Sequence, residues 1–136
     1  MTEHKYKANC SKDQLRKIRA FVREVLQEYS VSEIRINELI LAVDEVCANL
    51  IIHSCSCDPN YSIDLIIKKD SENIIFEFVN RGESFDILHY EEPKIEELIQ
   101  SKRKGGLGLM LVNRIMDKIE HEQTKGSDIY RMYKAV

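Results

Sequence analysis

Residues 62–80 constrain the fold most strongly, because their hydrophobic pattern repeats every two residues. Residues 62–69 and 74–80 both alternate, and the polar stretch 70–73 between them is typical of a tight turn, so the segment predicts a β-hairpin. One face of the second strand is apolar and consists of Ile74, Phe76 and Phe78. Such a half-buried hairpin needs other elements to cover that face.

Two amphipathic helices are predicted before this hairpin. The first covers about residues 12–29, where apolar residues recur at helical spacing, namely Leu15, Ile18, Phe21, Val22 and Val25. A capping box formed by Ser11 and Gln14 would begin this helix. The second covers about residues 35–54, and one of its sides is formed by Leu39, Ala42, Val43, Val46, Leu50 and His53.

The chain after the hairpin predicts a loop, two further helices and a second hairpin. Residues 81–92 have the composition of a loop, and residues 93–102 predict a short helix. A longer helix is expected over about residues 107–118, and the final hairpin would turn at residues 125–128. This order of elements favours an α+β sandwich with helices on one face of a sheet.

Composition sets the broad class of the protein. The chain has 136 residues, 43% of them apolar and 32% charged, as expected for one globular domain covering residues 1–136. A net charge of −3 gives no reason to expect nucleic acid as a partner. No apolar run approaches the roughly 20 residues that span a bilayer, so no membrane association is predicted. Four irregularly spaced cysteines do not predict a disulfide scaffold and favour free thiols in a reducing cytoplasm.

The second predicted helix carries the first candidate site. Glu45 and Asn49 stand at i and i+4 and therefore share one helix face, which borders the apolar side. One interpretation is a solvated polar pair at the edge of a buried face. The other is a functional pair, in which the carboxylate acts as a base or orients water and the amide oxygen binds a hard cation such as Mg²⁺.

The exit of the second strand carries a weaker signal. Asn80 and Gly82 lie where residues 79–86 leave the predicted hairpin. Gly82 can simply supply the positive φ that a turn needs. Alternatively, it lets a flat ligand approach the backbone while the Asn80 amide meets the edge of that ligand.

Residues 102–109 place three glycines at the opening of a helix. Glycine costs roughly 1 kcal/mol against alanine inside a helix, so their presence needs an explanation. Backbone N–H groups from Gly105 to Leu109 could hold a phosphate at the helix start, with basic residues just upstream. The stretch is not a Walker sequence, since no Lys-Ser/Thr follows the last glycine. The alternative is a flexible hinge before an ordinary helix.

Together, in this order and spacing, the three motifs resemble the GHKL ATPases, and among them the anti-sigma-factor serine kinases. Residues 38–54 are similar to the N box of that family, residues 79–86 to its G1 box and residues 104–121 to its G2 box. Gly126 and Ser127 stand where that family has a Gly-Thr pair on its last strands. The resemblance implies the Bergerat fold, a two-layer α/β sandwich with a mixed, mostly antiparallel sheet and helices on one face.

The resemblance also implies roles for individual residues. Glu45 would be the general base that polarises the attacking hydroxyl, and Asn49 would hold Mg²⁺ bridging the phosphates of ATP. Residues 86–104 would form a lid over the nucleotide. The other expected nucleotide-binding residues are Asn80, Gly82, Lys104, Gly105, Gly106, Leu107, Gly108, Leu109 and Ser127.

The implied activity is phosphorylation of a serine on an anti-anti-sigma antagonist of the STAS type. The kinase would be a homodimer that also binds a sigma factor and so regulates transcription.

The chain departs from the family at two positions of the G1 box. Asn80 stands where the family has an aspartate that accepts the adenine amine, and Ser84 stands where it has a glycine. Because neutral acceptors bind more weakly than charged ones, this predicts weaker or less adenine-selective binding. The alternative is a degenerate partner-binding module with little or no turnover. The ATPase half of a histidine kinase is disfavoured, because no helix pair with a phospho-accepting histidine precedes the domain.

Overall fold

A computed structural model describes residues 2–54, 61–80, 104–124 and 127–135. This part of the chain forms three α-helices and a five-stranded sheet. The elements in chain order are β1 (Thr2–Asn9), α1 (Gln14–Glu28), α2 (Glu33–Asn49), β2 (Ser62–Lys69), β3 (Asn73–Asn80), α3 (Lys104–Ile115), β4 (Lys118–Thr124) and β5 (Ser127–Ala135). Helix α2 continues into a π-helical turn at Leu50–Ser54. The predicted helix 93–102 and Gly82 lie outside the described residues.

The strands are ordered β1-β2-β3-β5-β4, and each of the four pairings in the described sheet is antiparallel. The face predicted to be apolar is buried, including Phe76 and Phe78 at 0% exposure. On the other face Glu77 bonds both Lys68 and Arg131, each at 3.1 Å, which satisfies charges on neighbouring strands. The predicted α+β sandwich with helices on one face is therefore confirmed.

Helices α1 and α2 cover the inner face of the sheet, and α3 packs against α2. The shared core joins one face of each element, and its largest side chains include Ile18, Leu26, Leu39, Phe76, Phe78 and Tyr130. Ser32 begins α2 by accepting the N–H of Arg35 at 3.3 Å. Ser30, at φ 60°, ends α1 in the left-handed region, which turns the chain sharply into α2.

The direction of each element follows from the residues that meet at one end of the sheet. Ser32 at the start of α2, Ile74 at the start of β3 and Ala135 at the end of β5 line one cavity there. Lys134 donates to the Ile115 carbonyl at 2.8 Å, which places the end of α3 at the same end. Helix α2 therefore runs away from this end and α3 runs towards it.

One strand was not predicted, and two expectations about local structure were wrong. Strand β1 was not predicted, because its sequence is mostly polar and Ala8 is its one buried residue. The capping box does not form, since Asp13 is the N-cap residue without a side-chain cap bond and the Ser11 hydroxyl bonds Asp13 instead. Helix α3 begins at Lys104 rather than near residue 107, so its glycines lie inside the helix.

The cysteines in the described residues differ in state. Cys47 is a free thiol at 0% exposure on the buried side of α2, and burial raises its pKa well above the ordinary range. Cys10 is disulfide-bonded, so the expectation of free thiols is wrong at this position.

None of the described helices combines the length and the apolar character needed to cross a bilayer.

Candidate functional site

The last turns of α2 bring the predicted carboxylate–amide pair into contact. The Asn49 Nδ2 donates to the Glu45 backbone carbonyl at 2.8 Å and to its Oε1 at 3.3 Å. Asn49 is only 8% exposed, and its α-helix ends there as the π-helical turn begins. Because the Asn49 Nδ2 is bonded to Glu45, the side-chain oxygen Oδ1 of Asn49 faces away from Glu45. That oxygen is the atom a hard cation would use.

The environment of Glu45 raises the affinity of its carboxylate for a proton. Partial burial raises the pKa of this carboxyl above its ordinary value, the hydrogen bond from Asn49 opposes that rise, and the charge of Asp44 adds to it. Asp44 is itself held by Arg19 of α1, with the Arg19 Nη1 2.6 Å from the Asp44 Oδ1. The Glu45 carboxylate is therefore held by Asn49 of the same helix, and the Arg19–Asp44 ion pair lies beside it.

A second polar cluster lies on the inner face of the sheet. Asn80, the last residue of β3, is paired in register with Asp128 of β5. Their exposures are 0% and 4%, so both are among the few buried polar residues in the described chain. The His121 Nε2 of β4 lies 2.9 Å from the Asp128 Oδ1, and the His121 ring stacks on Tyr130 with centroids 4.5 Å apart.

Helix α2 and the sheet carry these two clusters to the same end of the molecule. From Ser32 to Asn49 the helix advances about 25 Å at 1.5 Å per residue. From Ile74 to Asn80 strand β3 advances about 20 Å at 3.4 Å per residue. Since Ser32 and Ile74 line one cavity at the opposite end, Asn49 and Asn80 both lie at the far end from it.

Helix α3 begins at this same end of the molecule, because its last residue Ile115 lies at the other. In a helix that begins at Lys104, the N–H groups as far as Gly106 have no intrahelical acceptor. They form the positive end of the helix dipole, as a phosphate site requires. The contacts expected of Gly108 and Leu109 fall deeper in the helix, and they remain predictions together with that of Leu107.

The structure brings Glu45, Asn49, Asn80 and the start of α3 to one end of the molecule, and Ser127 begins β5 at that end. The Ser127 hydroxyl lies 2.8 Å from that of Thr124, and its strand neighbour Asp128 faces the buried side. The nucleotide contact predicted for Ser127 remains a prediction. The expected lid falls almost wholly outside the described residues.

Sequence reasoning overlooked Asp128 and His121. Asp128 was assigned to the predicted turn at residues 125–128, but it lies in β5. A signal was present, because Asp128 alternates with Tyr130 and Met132 on the face that is buried. His121 carried no such signal, since its role depends on the register of β4 against β5.

Comparison with protein families gives one match over nearly the whole chain. Residues 8–134 match the histidine kinase-like ATPase domain.

Curated relatives give a narrower match in sequence. The chain is 30% identical over 95 residues to a serine-protein kinase RsbW of Halalkalibacterium halodurans and 29% identical over 98 residues to one of Bacillus licheniformis. Each match covers 67% of this chain, and they span 57% and 60% of those relatives, less than two thirds of their length.

Solved structures extend the match in fold to almost the entire chain. The RsbU and RsbW domains of a Mycobacterium tuberculosis protein superpose with a TM-score of 0.69 at 15% identity, covering 98% of this chain and 32% of that one. A chain of the SiaB–SiaC complex of Pseudomonas aeruginosa gives a TM-score of 0.65 at 14% identity, covering 98% and 89%. At such identities the likeness concerns the fold.

Proposed function

The chain belongs to the histidine kinase-like ATPase domain family, and we propose that it binds ATP with Mg²⁺ and transfers the γ-phosphoryl group to a serine of a partner protein. The observation that carries this proposal is the convergence of a hydrogen-bonded carboxylate–amide pair on α2 with the N-terminus of α3 at one end of the molecule. The similarity to proteins named serine-protein kinases supports the same reaction class.

In this proposal the residues of α2 divide the chemistry between them. Glu45 accepts the proton of the attacking serine hydroxyl, and the raised pKa of its carboxyl makes it a stronger base than an ordinary glutamate. Asn49 keeps that carboxylate oriented through its Nδ2 and presents its Oδ1 to the phosphate region. The N–H groups at the start of α3 bind phosphate oxygens.

The donor set fits Mg²⁺ delivered with the nucleotide. The described residues hold no cluster of three or more metal-ligating His, Cys, Asp or Glu side chains, so they do not form an all-protein cage. Mg²⁺ usually takes one or two protein oxygens and completes its shell with phosphates and water, for which the Asn49 Oδ1 suffices. When bound, the ion would neutralise charge that develops on the phosphates.

The proposed partners are a sigma factor and an anti-anti-sigma antagonist of the STAS type, the antagonist receiving the phosphoryl group. This extends to the chain the serine-protein kinase activity in the names of its relatives and the complex formed by the SiaB–SiaC pair. Homodimer formation, a cytoplasmic location and a role in transcription regulation belong to the same proposal.

Transfer of labelled γ-phosphate from ATP to a candidate antagonist tests the proposal. We expect a phosphoserine on the antagonist in the presence of Mg²⁺, and loss of that product in Glu45→Gln with ATP binding retained. Equal phosphorylation by both proteins would refute the assigned base.

A second candidate function is a partner-binding module without turnover, which the neutral Asn80 in the G1 position favours. Partner binding that is the same with and without MgATP, together with no phosphate transfer by the wild type, would support the module over the kinase.

A further inference from the structure

Asp128 is a buried carboxylate for which the fold gives no structural need. Its exposure is 4%, and the described side chain that bonds it is that of His121. Withdrawing a carboxylate from water is costly, and a buried polar pair can often be replaced by apolar residues without loss of stability. The neighbouring inner-face residues of β5, Tyr130 and Met132, are packed in the core, so an apolar residue at position 128 would extend the pattern.

The position of this carboxylate is defined by the sheet register. Asp128 pairs with Asn80, and side chains opposed in an antiparallel pair have Cβ atoms about 4.5–5.5 Å apart. Both side chains are on the inner face, at the end of the sheet towards which Asn49 and the start of α3 also point. A carboxylate and a carboxamide therefore stand side by side at the sheet end of the candidate site.

His121 holds the carboxylate in place. Its Nε2 lies 2.9 Å from the Asp128 Oδ1, and its ring is stacked on the buried Tyr130 with an interplanar angle of 4°. The stacking fixes the plane of the imidazole, so the bond to Oδ1 sets the direction of the carboxylate. The contact with His121 uses Oδ1, and we assign the second oxygen, Oδ2, to the ligand, since each carboxylate oxygen can accept hydrogen bonds.

An adjacent carboxylate and carboxamide suit a purine edge that carries an amino group. A carboxylate only accepts hydrogen bonds, whereas a carboxamide both donates and accepts. Adenine presents an amine beside a ring nitrogen, which matches an acceptor next to a donor. Guanine and hypoxanthine present a carbonyl oxygen in place of that amine, which a carboxylate repels.

We propose that Asp128, positioned by His121, accepts the adenine amine and makes the site selective for ATP, with Asn80 meeting the neighbouring ring edge. The inference rests on the proposed nucleotide function and assigns the recognition of its base. Asn80 alone predicted weaker or less adenine-selective binding, because β3 lacks a carboxylate at that position. In this proposal Asp128 of the adjacent strand β5 supplies the carboxylate. Adenine selectivity is then retained rather than lost.

Equilibrium binding of MgATP, MgGTP and MgITP to the full chain tests the inference. The wild type should prefer ATP over ITP by about tenfold or more, as charged acceptors give the stronger hydrogen bonds. Asp128→Asn, which keeps the shape and an oxygen for His121, should lose most of that preference. The exchanged pair Asn80→Asp with Asp128→Asn should recover much of it, because one carboxylate again faces one amide.

Glu122→Gln is the matched control. Glu122 is on β4 beside His121 but bonds Arg131 at 2.9 Å on the other face of the sheet, so its loss should leave base selectivity unchanged. Thermal unfolding without nucleotide checks that each variant is folded.

The outcomes separate the inference from the function on which it rests. If the wild type binds no nucleotide, the proposed function fails. If it binds ATP and ITP equally, or if folded Asp128→Asn keeps the full preference for ATP, the assignment of Asp128 is overturned while nucleotide binding stands. If Asp128→Asn does not fold, the ratio of ATP to ITP affinity of the wild type still tests the assignment of Asp128.

Discussion

The helix end and the sheet end of the candidate site are assembled in different ways. At the helix end, Glu45 and Asn49 are four residues apart and meet because α2 is helical. At the sheet end, Asn80, Asp128 and His121 come from three strands and meet through register. The first arrangement depends on nearby residues and can be predicted from the sequence, whereas the second exists only once the sheet has formed.

This difference suggests a division of function between the two ends. The helix end carries a proton acceptor and an oxygen for a cation, so changes there should alter the rate of transfer and the dependence on Mg²⁺. The sheet end carries acceptors for a base, so changes there should alter nucleotide choice. The following predictions test that division in order of decreasing effect.

The largest effect is expected for Glu45→Gln. The amide keeps an oxygen for the Asn49 Nδ2 but cannot take a proton, so phosphate transfer should fall by about a hundredfold to ten-thousandfold. Single-turnover transfer from labelled ATP measures the rate, and calorimetry should show an ATP affinity close to that of the wild type. A comparable loss of ATP affinity would contradict the assigned role, because Glu45 would then bind the nucleotide rather than act only as the base.

Asn49→Ala should weaken binding of MgATP by about tenfold, since it removes both the oxygen for the cation and the donor that orients Glu45. Titration with ATP in Mg²⁺ and in EDTA measures the effect, and the variant should lose most of the difference between the two conditions. Asn49→Asp keeps an oxygen ligand and should retain more of the Mg²⁺ dependence. An unchanged Mg²⁺ dependence in Asn49→Ala would remove this residue from the cation site.

The pH dependence of transfer should move in Asp44→Asn. Glu45 acts as a base only when ionised, so the rate rises as pH increases through its pKa, which burial and the Asp44 charge raise. Removing that charge lowers the pKa of Glu45 and shifts the acid limb of the profile to lower pH. Glu28→Gln, which removes a charge beside His4 far from the site, should leave the limb in place. A shift to higher pH in Asp44→Asn would contradict the assigned electrostatics.

The smallest effect is expected for Ser127→Ala. The Ser127 hydroxyl is already bonded to Thr124, so losing its predicted nucleotide contact should weaken ATP binding by only about twofold and leave the ratio of ATP to ITP affinity unchanged. The same titrations measure both values. A change in the ratio of ATP to ITP affinity would show that Ser127 takes part in base recognition and would weaken the case for Asp128.

The sequence predicted the parts of the protein that depend on neighbouring residues. The α2 pattern, the β2–β3 hairpin and the Glu45–Asn49 pair all follow from spacings of two to four residues. Strand β1 was not predicted because it is an edge strand with mostly polar residues, and its pairing partner β2 lies about sixty residues later. Asp128 and His121 were not predicted as site residues for a related reason. The burial of Asp128 and its contact with His121 depend on which strands become neighbours.

An NMR titration of the isotope-labelled chain with MgATP tests the central claim that both ends belong to one nucleotide site. The claim predicts shifts at the Asn49 side-chain amide and at the backbone amides of Asn80 and Asp128, all saturating with the same dissociation constant. Residues at the opposite end of the sheet, such as Ile74 and Ala135, should shift little. No shifts at millimolar MgATP, or shifts confined to that opposite end, would contradict the claim.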